Sequence, residues 1–189
     1  MDATPGTDDM PHRTSGRGRL VTMLAVICAT VYALDQVTKA LALEHLEGRD
    51  PVQVLDSILQ LRLVFNPGAA FSIATGMTWL LTIVACVVVF VVIRIAGRLG
   101  SRGWAVALGL LLAGALGNLT DRFVRPPGFG RGHVIDFIEL PNWPVFNVAD
   151  SSICTAAALI VLLGLRGISV DGTRERARQE TSESGSARA

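Results

Sequence analysis

The stretch at residues 71–93, FSIATGMTWLLTIVACVVVFVVI, contains 23 residues and no charged side chain. An α-helix needs about 20 predominantly apolar residues to cross the hydrocarbon core of a bilayer, so this stretch predicts a membrane span. A second uncharged run of 18 residues occupies 103–120, and two runs of 15 residues occupy 20–34 and 151–165. We therefore predict four transmembrane helices, at roughly residues 20–40, 77–95, 104–120 and 148–165.

The composition of the whole chain also indicates a membrane protein. Of its 189 residues, 50% are hydrophobic and 17% are charged, whereas a soluble domain carries about 25% charged residues. These values exclude a secreted soluble protein, a nucleic-acid-binding protein and a disordered chain, and the net charge of +1 indicates no polyanionic partner. The cysteines at 28, 86 and 154 are odd in number and lack metal-ligand spacing, which argues against disulfides or a zinc site. We expect them to pack between helices.

The two ends of the chain are polar and are predicted to be disordered tails. Residues 1–19 and 167–189 flank a membrane domain at 20–166. Eleven of the 17 Lys and Arg residues lie before the first span, between the second and third spans, or after the fourth. Basic residues mark the cytoplasmic side, so both termini are predicted to be cytoplasmic. No cleavage site followed by a soluble domain comes after the first apolar run, which indicates an uncleaved span rather than a signal peptide.

The first extracytoplasmic loop contains a strand pattern. Apolar side chains at 59, 61, 63 and 65 alternate with Gln60 and Arg62, and this period of two is typical of a strand with one buried face. Asn66-Pro67-Gly68 then predicts a turn. The fold class that we expect is an all-α membrane protein, with four transmembrane helices and a small β-sheet in this loop. The second outer loop, at 122–146, is predicted to be irregular, with an apolar segment at 134–138 that dips toward the membrane.

Four aspartates lie at the outer ends of the predicted spans or between them. Asp35, Asp121 and Asp150 are each next to a span, and Asp136 lies inside the apolar segment at 134–138. Ionisable groups at such depth are costly and usually functional. Three of them also have structural interpretations. Asp35 can pair with Lys39, Asp121 can pair with Arg122 or cap a helix end, and Asp150 can be a helix N-cap.

Two carboxylates close together in a partly dry site share a proton and can hydrolyse a peptide bond. The ionised acid takes a proton from water, while the protonated acid polarises the carbonyl and later protonates the leaving amine. We expect no metal and no other cofactor. The histidines and cysteines are poorly placed for a Ser-His-Asp or Cys-His arrangement. The pattern of acids alone does not decide which two of the four form the pair.

Five strings, in order along residues 20–165, resemble the bacterial lipoprotein signal peptidases (signal peptidase II), which are aspartic peptidases of the inner membrane. They are Asp35-Gln-Val-Thr-Lys39, Phe65-Asn66-Pro-Gly-Ala-Ala70-Phe71, Gly114-Ala-Leu-Gly-Asn118-Leu-Thr-Asp121-Arg122, His133-Val-Ile-Asp136-Phe137 and Phe146-Asn147-Val-Ala-Asp150. The resemblance implies an aspartic endopeptidase that removes the signal peptide from diacylglyceryl-modified prolipoproteins. The cut falls just N-terminal to the lipidated cysteine.

The resemblance also implies a role for each site residue. Asp136 and Asp150 match the catalytic dyad. The substrate-binding positions are Asn66, Asn118, Arg122 and Asn147, and the supporting positions are Asp35, Lys39, Gly68 and Asp121. The implied partners are prolipoprotein substrates and membrane lipid, with no nucleic acid, and the protein is expected to be a monomer. It is expected in the bacterial cytoplasmic (inner) membrane, with its active site near the extracytoplasmic face.

Three other functions fit parts of the pattern. Intramembrane acids also mark ion paths in carriers, but the four acids lie at one membrane face and no inverted repeat is found. A non-catalytic scaffold gives no reason for Asp136 among apolar residues. A metal-dependent lipid transferase needs acids close together on facing helices beside basic residues, which this spacing does not provide.

Overall fold

The computed structural model describes residues 14–55, 58–68 and 78–174. It contains helices α1 (Thr14–Leu46), α2 (Thr78–Ala96), α3 (Arg102–Val124) and α4 (Val148–Leu165), and strands β1 (Val52–Leu55), β2 (Leu59–Asn66) and β3 (Val134–Glu139). By length and composition, all four helices can cross a membrane. The prediction of four spans is confirmed.

Helix α3 is the centre of the bundle. In its most apolar window 61% of the residues are buried, against 11% to 22% in the other three helices. Small residues allow the close contact, since a Cβ added at Gly114 would lie 2.5 Å from the Ala149 oxygen on α4. The outward faces of the other helices carry exposed apolar side chains that suit lipid, such as Phe90. Cys28 is buried as expected, but Cys86 and Cys154 are exposed on these faces, so the prediction that all three cysteines pack between helices was wrong.

The three strands form one antiparallel sheet in the order β1-β2-β3. The predicted small sheet is confirmed, but its third strand comes from the second outer loop. Residues 134–138, expected to dip toward the membrane, instead pair with β2, where Asp136 lies opposite Val64. This segment is apolar because β3 is buried in the sheet and against α1, with Ile135 and Phe137 packed against Ala42 and Leu46.

The rest of the second outer loop is fixed to the bundle. The Gly132 N–H donates to the Arg122 oxygen over 3.0 Å, and the Thr82 hydroxyl on α2 donates to the Gly130 oxygen over 2.8 Å. A Cβ at residue 132 would lie 2.3 Å from the Asp121 oxygen, so only glycine fits there. These hydrogen bonds hold the loop so that β3 begins next to the end of α3 where the aspartates lie.

The boundaries of the predicted tails differ from the structure at both ends. Helix α1 begins at Thr14, so residues 14–19 are helical. Residues 167–174 fold back on the bundle, where the Trp104 indole donates to the Ile168 oxygen over 2.8 Å and the Gly100 N–H donates to the Val170 oxygen over 2.9 Å. The remaining predicted tail residues, 1–13 and 175–189, lie outside the described residues.

Candidate active site

Asp136 on β3 and Asp150 in the first turn of α4 share one hydrogen-bond network. Asp136 accepts from the side-chain amides of Asn66 over 2.7 Å and Asn147 over 2.6 Å, one at each oxygen. Asp150 accepts from the amide of Asn118 over 2.8 Å at one oxygen, and from the backbone N–H of Asn147 over 3.2 Å at the other. All four carboxyl oxygens therefore have a protein N–H donor.

The orientation of two of these amides is set by the backbone. The Asn66 oxygen accepts from the Gly68 N–H over 2.8 Å, which turns the Asn66 NH₂ group toward the acid. Gly68 has a φ of 106°, a conformation that favours glycine. The Asn147 oxygen accepts from the Asp150 N–H over 2.9 Å as the N-cap of α4. Because a backbone N–H can only donate, neither amide can turn its oxygen toward Asp136 without losing that bond.

The third amide is oriented by a buried lysine. Lys39 on α1 is 0% exposed. Its ammonium lies 2.8 Å from an oxygen of Asp35 and 2.8 Å from an oxygen of Asp121, and it donates to the Asn118 oxygen over 3.1 Å. An ammonium has three N–H donors and no acceptor, so all three are used and the Asn118 oxygen must face it. The Asn118 NH₂ group is then left to donate to Asp150.

The two aspartates beside Lys39 also hold the backbone next to the candidate catalytic acids. Asp35 accepts from the N–H of Ala149 over 2.9 Å, and Asp121 accepts from the N–H of Ile135 over 3.3 Å. Each of these N–H groups belongs to the residue that directly precedes one of the two acids. Lys39 and its two carboxylates therefore fix the relative positions of α4 and β3.

Arg122 brings positive charge to the same region. Its guanidinium donates to the Asn118 backbone oxygen over 3.2 Å, and its charge interacts with Asp150, Asp121 and Asp136. Its Nε is buried without a hydrogen-bond partner in the part of the chain that the structure describes. A buried guanidinium with unused N–H capacity can hold a substrate carbonyl oxygen or a developing oxyanion.

The environment of Asp136 favours its protonated form. Burial, and to a smaller extent the negative charge of Asp150, raise the pKa of its carboxyl to a net value of about 7. The hydrogen bonds from Asn66 and Asn147 and the charge of Lys39 lower this pKa, but they do not outweigh burial. Asp136 is 1% exposed, while Asp150 and Asn66 are only partly buried.

The structure brings together all ten residues expected at the site, but it changes two of their contacts. Asp35 does pair with Lys39. Asp121 forms ion pairs with Lys39 and Arg125, and not with Arg122 as expected. Asp150 is not the N-cap of α4, because Asn147 caps the helix and Asp150 completes the capping box. The described residues contain no group of three or more His, Cys, Asp or Glu side chains arranged to hold a metal ion.

Two contributors to the site are absent from the sequence-based expectation. Arg125 pairs with Asp121 four residues before it, and the spacing of four, which places two residues on one helix face, is the signal that indicates this pair. Gly117 has no room for a side chain, because a Cβ there would lie 2.5 Å from an oxygen of Asp35. Its place in the string before Asn118 is the only sequence signal for it.

Known proteins are similar to this chain over most of its length. A family model described as Signal peptidase (SPase) II matches residues 27–166. The lipoprotein signal peptidase of Rhodococcus jostii (strain RHA1) is 52% identical over 174 residues, covering 92% of this chain and 87% of that protein. The lipoprotein signal peptidase of Mycobacterium tuberculosis (strain CDC 1551 / Oshkosh) is 46% identical over 158 residues, covering 84% of this chain and 78% of that protein.

Solved structures show the same fold. A bacterial membrane enzyme determined by the in meso method at 2.3 Å resolution superposes with a TM-score of 0.68 and 30% identity, covering 77% of this chain and 89% of that chain. A second, at 1.9 Å resolution, has a TM-score of 0.66 and 30% identity, covering 76% of this chain and 92% of that chain.

Proposed function

Because the chain belongs to the signal peptidase II family and is a lipoprotein signal peptidase, we propose that Asp136 and Asp150 are the dyad that cleaves its substrates. The observation that carries this proposal is the shared network, in which fixed amides hold both carboxyl groups. The substrate that we infer is a diacylglyceryl-modified prolipoprotein, cut just N-terminal to the lipidated cysteine.

The two acids differ in the role that their surroundings favour. Asp136, with its pKa raised to about 7, holds the shared proton near neutral pH. Asp150 lies at the N-terminus of α4 and accepts a backbone N–H there, which stabilises a carboxylate through the helix dipole. We therefore assign Asp150 as the general base and Asp136 as the general acid.

The reaction then balances without a covalent intermediate. Asp150 takes a proton from water as the water oxygen bonds to the carbonyl carbon, and Asp136 gives its proton to the carbonyl oxygen. The resulting tetrahedral diol collapses when the C–N bond breaks. In this scheme, unlike the simpler one inferred from the sequence, the leaving nitrogen takes its proton from Asp150, and a diol hydroxyl returns one to Asp136 as the carbonyl re-forms. We infer that Arg122, whose charge interacts with both acids, stabilises the oxygen while charge develops on it and before Asp136 protonates it.

Substrate recognition follows from the position of this site. The dyad lies where the sheet meets the ends of the membrane helices. A diacylglyceryl-modified precursor is anchored in the same bilayer, and each buried methylene contributes about 0.8 kcal/mol to its retention there. The acyl chains therefore hold the scissile bond at the membrane surface, and the enzyme needs no specific polar contacts to the lipid.

The experiment that tests the proposal is a gel-mobility cleavage assay with the purified protein in liposomes. The wild type should cut a diacylglyceryl prolipoprotein, leave the unlipidated precursor intact and be insensitive to a chelator. Asp136→Asn and Asp150→Asn should fold but lose cleavage by at least about 1,000-fold, since each removes a proton donor or acceptor. If both variants still cleave, the dyad is assigned to the wrong aspartates, and Asp35→Asn and Asp121→Asn become the next variants to measure.

We also propose that the protein lies in the bacterial inner membrane as a monomer, with both termini in the cytoplasm and the dyad near the extracytoplasmic face. The excess of basic residues around both termini and the turn between α2 and α3 supports this orientation.

A further inference from the structure

A cavity lies at the end of the helix bundle opposite to the aspartates. It has a volume of about 480 Å³ and is lined by the start of α1, the turn between α2 and α3, and the segment after α4: Gly16, Arg17, Arg19, Leu20, Arg98, Leu99, Gly100, Arg102 and Asp171. Arg102 and Asn118 lie 16 positions apart on α3. At 1.5 Å per residue, the cavity is about 24 Å from the dyad.

Among the described residues, the rim of this cavity carries more positive than negative charge. Four of its nine residues are arginines and one is an aspartate. All four arginines are exposed, and none of them belongs to the four ion pairs that the structure gives among residues 14–55, 58–68 and 78–174. Four guanidinium groups around one cavity repel each other, and an anion with several oxygen acceptors relieves that repulsion through charge-assisted hydrogen bonds.

The floor of the cavity is apolar. Leu20 and Leu99 line it, and both belong to the apolar cluster that also contains Leu24, Val92 and Leu108. A cationic rim above an apolar floor, at the end of a membrane bundle, is complementary to an amphiphile with an anionic head. A free phosphate would contact only the arginines of the rim and would leave the apolar floor uncovered.

From this combination we propose that the cavity is a binding site for the headgroup of an anionic phospholipid. The lipid phosphate is held by the arginines at positions 17, 19, 98 and 102, and its glycerol and acyl carbons lie against Leu20 and Leu99. Such a lipid joins the start of α1 to the turn between α2 and α3. The site is separate from the substrate site and does not depend on the proposed catalytic function.

The test measures lipid binding to the full-length chain after delipidation in a nonionic detergent. Native mass spectrometry counts retained molecules of phosphatidylglycerol, phosphatidylcholine or inorganic phosphate, each added at the same concentration. We expect the wild type to retain one phosphatidylglycerol, and the double variant Arg98→Gln/Arg102→Gln to bind it at least about tenfold more weakly. The matched control Arg166→Gln/Arg174→Gln removes the same charge from the same end of the bundle and should bind like the wild type.

Three results would overturn the proposal: equal retention of phosphatidylcholine, equal weakening in both double variants, or phosphate binding as tight as that of the lipid. The first shows no headgroup selectivity, the second shows only general attraction to charge, and the third shows a site for the free anion. Thermal unfolding checks that each variant is folded. A second pair, Arg17→Gln/Arg19→Gln, tests the same rim from α1 if the first pair does not fold.

Discussion

At the scale of single residues, Asn66 determines how readily Asp136 gives up its proton. Its amide donates to Asp136 over 2.7 Å, and this bond favours the ionised acid and lowers the pKa of Asp136. If Asp136 must be protonated, kcat in the wild type should fall as the pH rises through about 7. Asn66→Ala removes a donor to the ionised form, so the pKa rises and the alkaline limb of the profile should move to higher pH.

The measurement is kcat against pH for the wild type, Asn66→Ala and Gln60→Ala. Gln60 lies on the same strand, away from the acids, and its loss should leave the profile in place. We also expect the maximal kcat of Asn66→Ala to fall by up to about tenfold, because the neutral Asp136 loses a positioning hydrogen bond of about 0.5–1.5 kcal/mol. A limb that moves to lower pH would contradict the assignment of Asp136 as the acid.

Lys39 permits a comparison between a buried and an exposed ion pair. Lys39→Met leaves Asp35 and Asp121 buried without their shared cation, which should lower the free energy of unfolding by about 3–5 kcal/mol. Arg62→Met breaks the exposed pair with Glu139 and should cost less than about 1 kcal/mol. Thermal unfolding in the same detergent measures both. Equal costs would mean that Lys39 does not hold the site together.

At the scale of elements, the contact between α3 and α1 depends on Gly117. A Cβ at this position would lie 2.5 Å from an oxygen of Asp35, so Gly117→Ala should displace Asp35 from the Ala149 N–H and weaken cleavage. We expect a loss of about 1–3 kcal/mol in stability. Gly164→Ala on α4 is the matched control, since nothing lies within 4 Å of its added Cβ. Its stability should be unchanged or higher by up to about 1 kcal/mol.

The start of α4 combines a helix cap with a donor to the dyad, and the two roles can be separated at Asn147. Serine is also a good N-cap, but its side chain is too short to reach Asp136. Asn147→Ser should therefore keep the unfolding temperature of the wild type while kcat falls at least about tenfold. Asn147→Ala should lose about 1 kcal/mol of stability as well. Full activity of the serine variant would show that the 2.6 Å bond to Asp136 is not used in catalysis.

How much of the structure could be predicted differs between its elements. Uncharged length located the four spans, and alternation located β2, because both signals are local. Strand β3 was missed, because the apolar residues on either side of Asp136 do not alternate with polar ones. They reflect burial on both faces of the strand, and they resemble a membrane segment. At the site, the sequence predicted Asp35, Asp121 and the pairing of Asp35 with Lys39, but not the contacts of the two aspartates with distant backbone. Asp35 contacts the backbone of a residue 114 positions away, which no local pattern encodes.

At the scale of the whole molecule, the orientation in the membrane can be measured directly. From the distribution of basic residues we propose that both termini lie in the cytoplasm. A reporter that fluoresces only in the cytoplasm should be active when fused after residue 189. The same reporter should be inactive when inserted at Asn142, an exposed residue in the turn after β3. The opposite pair of results would place the dyad on the cytoplasmic side.

Asp35 and Asp121, which share Lys39, each bind a backbone N–H far along the chain, and this has a consequence for the biogenesis of the protein. Asp35 is made early, while Ala149, whose N–H it binds, belongs to the last helix to leave the ribosome. Asp150 and the cap residue Asn147 lie in the same final segment. A nascent chain that has inserted only three helices therefore has no assembled dyad. With Asp136 and Asp150 as the proposed dyad, proteolytic competence requires the insertion of α4, so a copy with only α1, α2 and α3 in the membrane cannot cut a precursor.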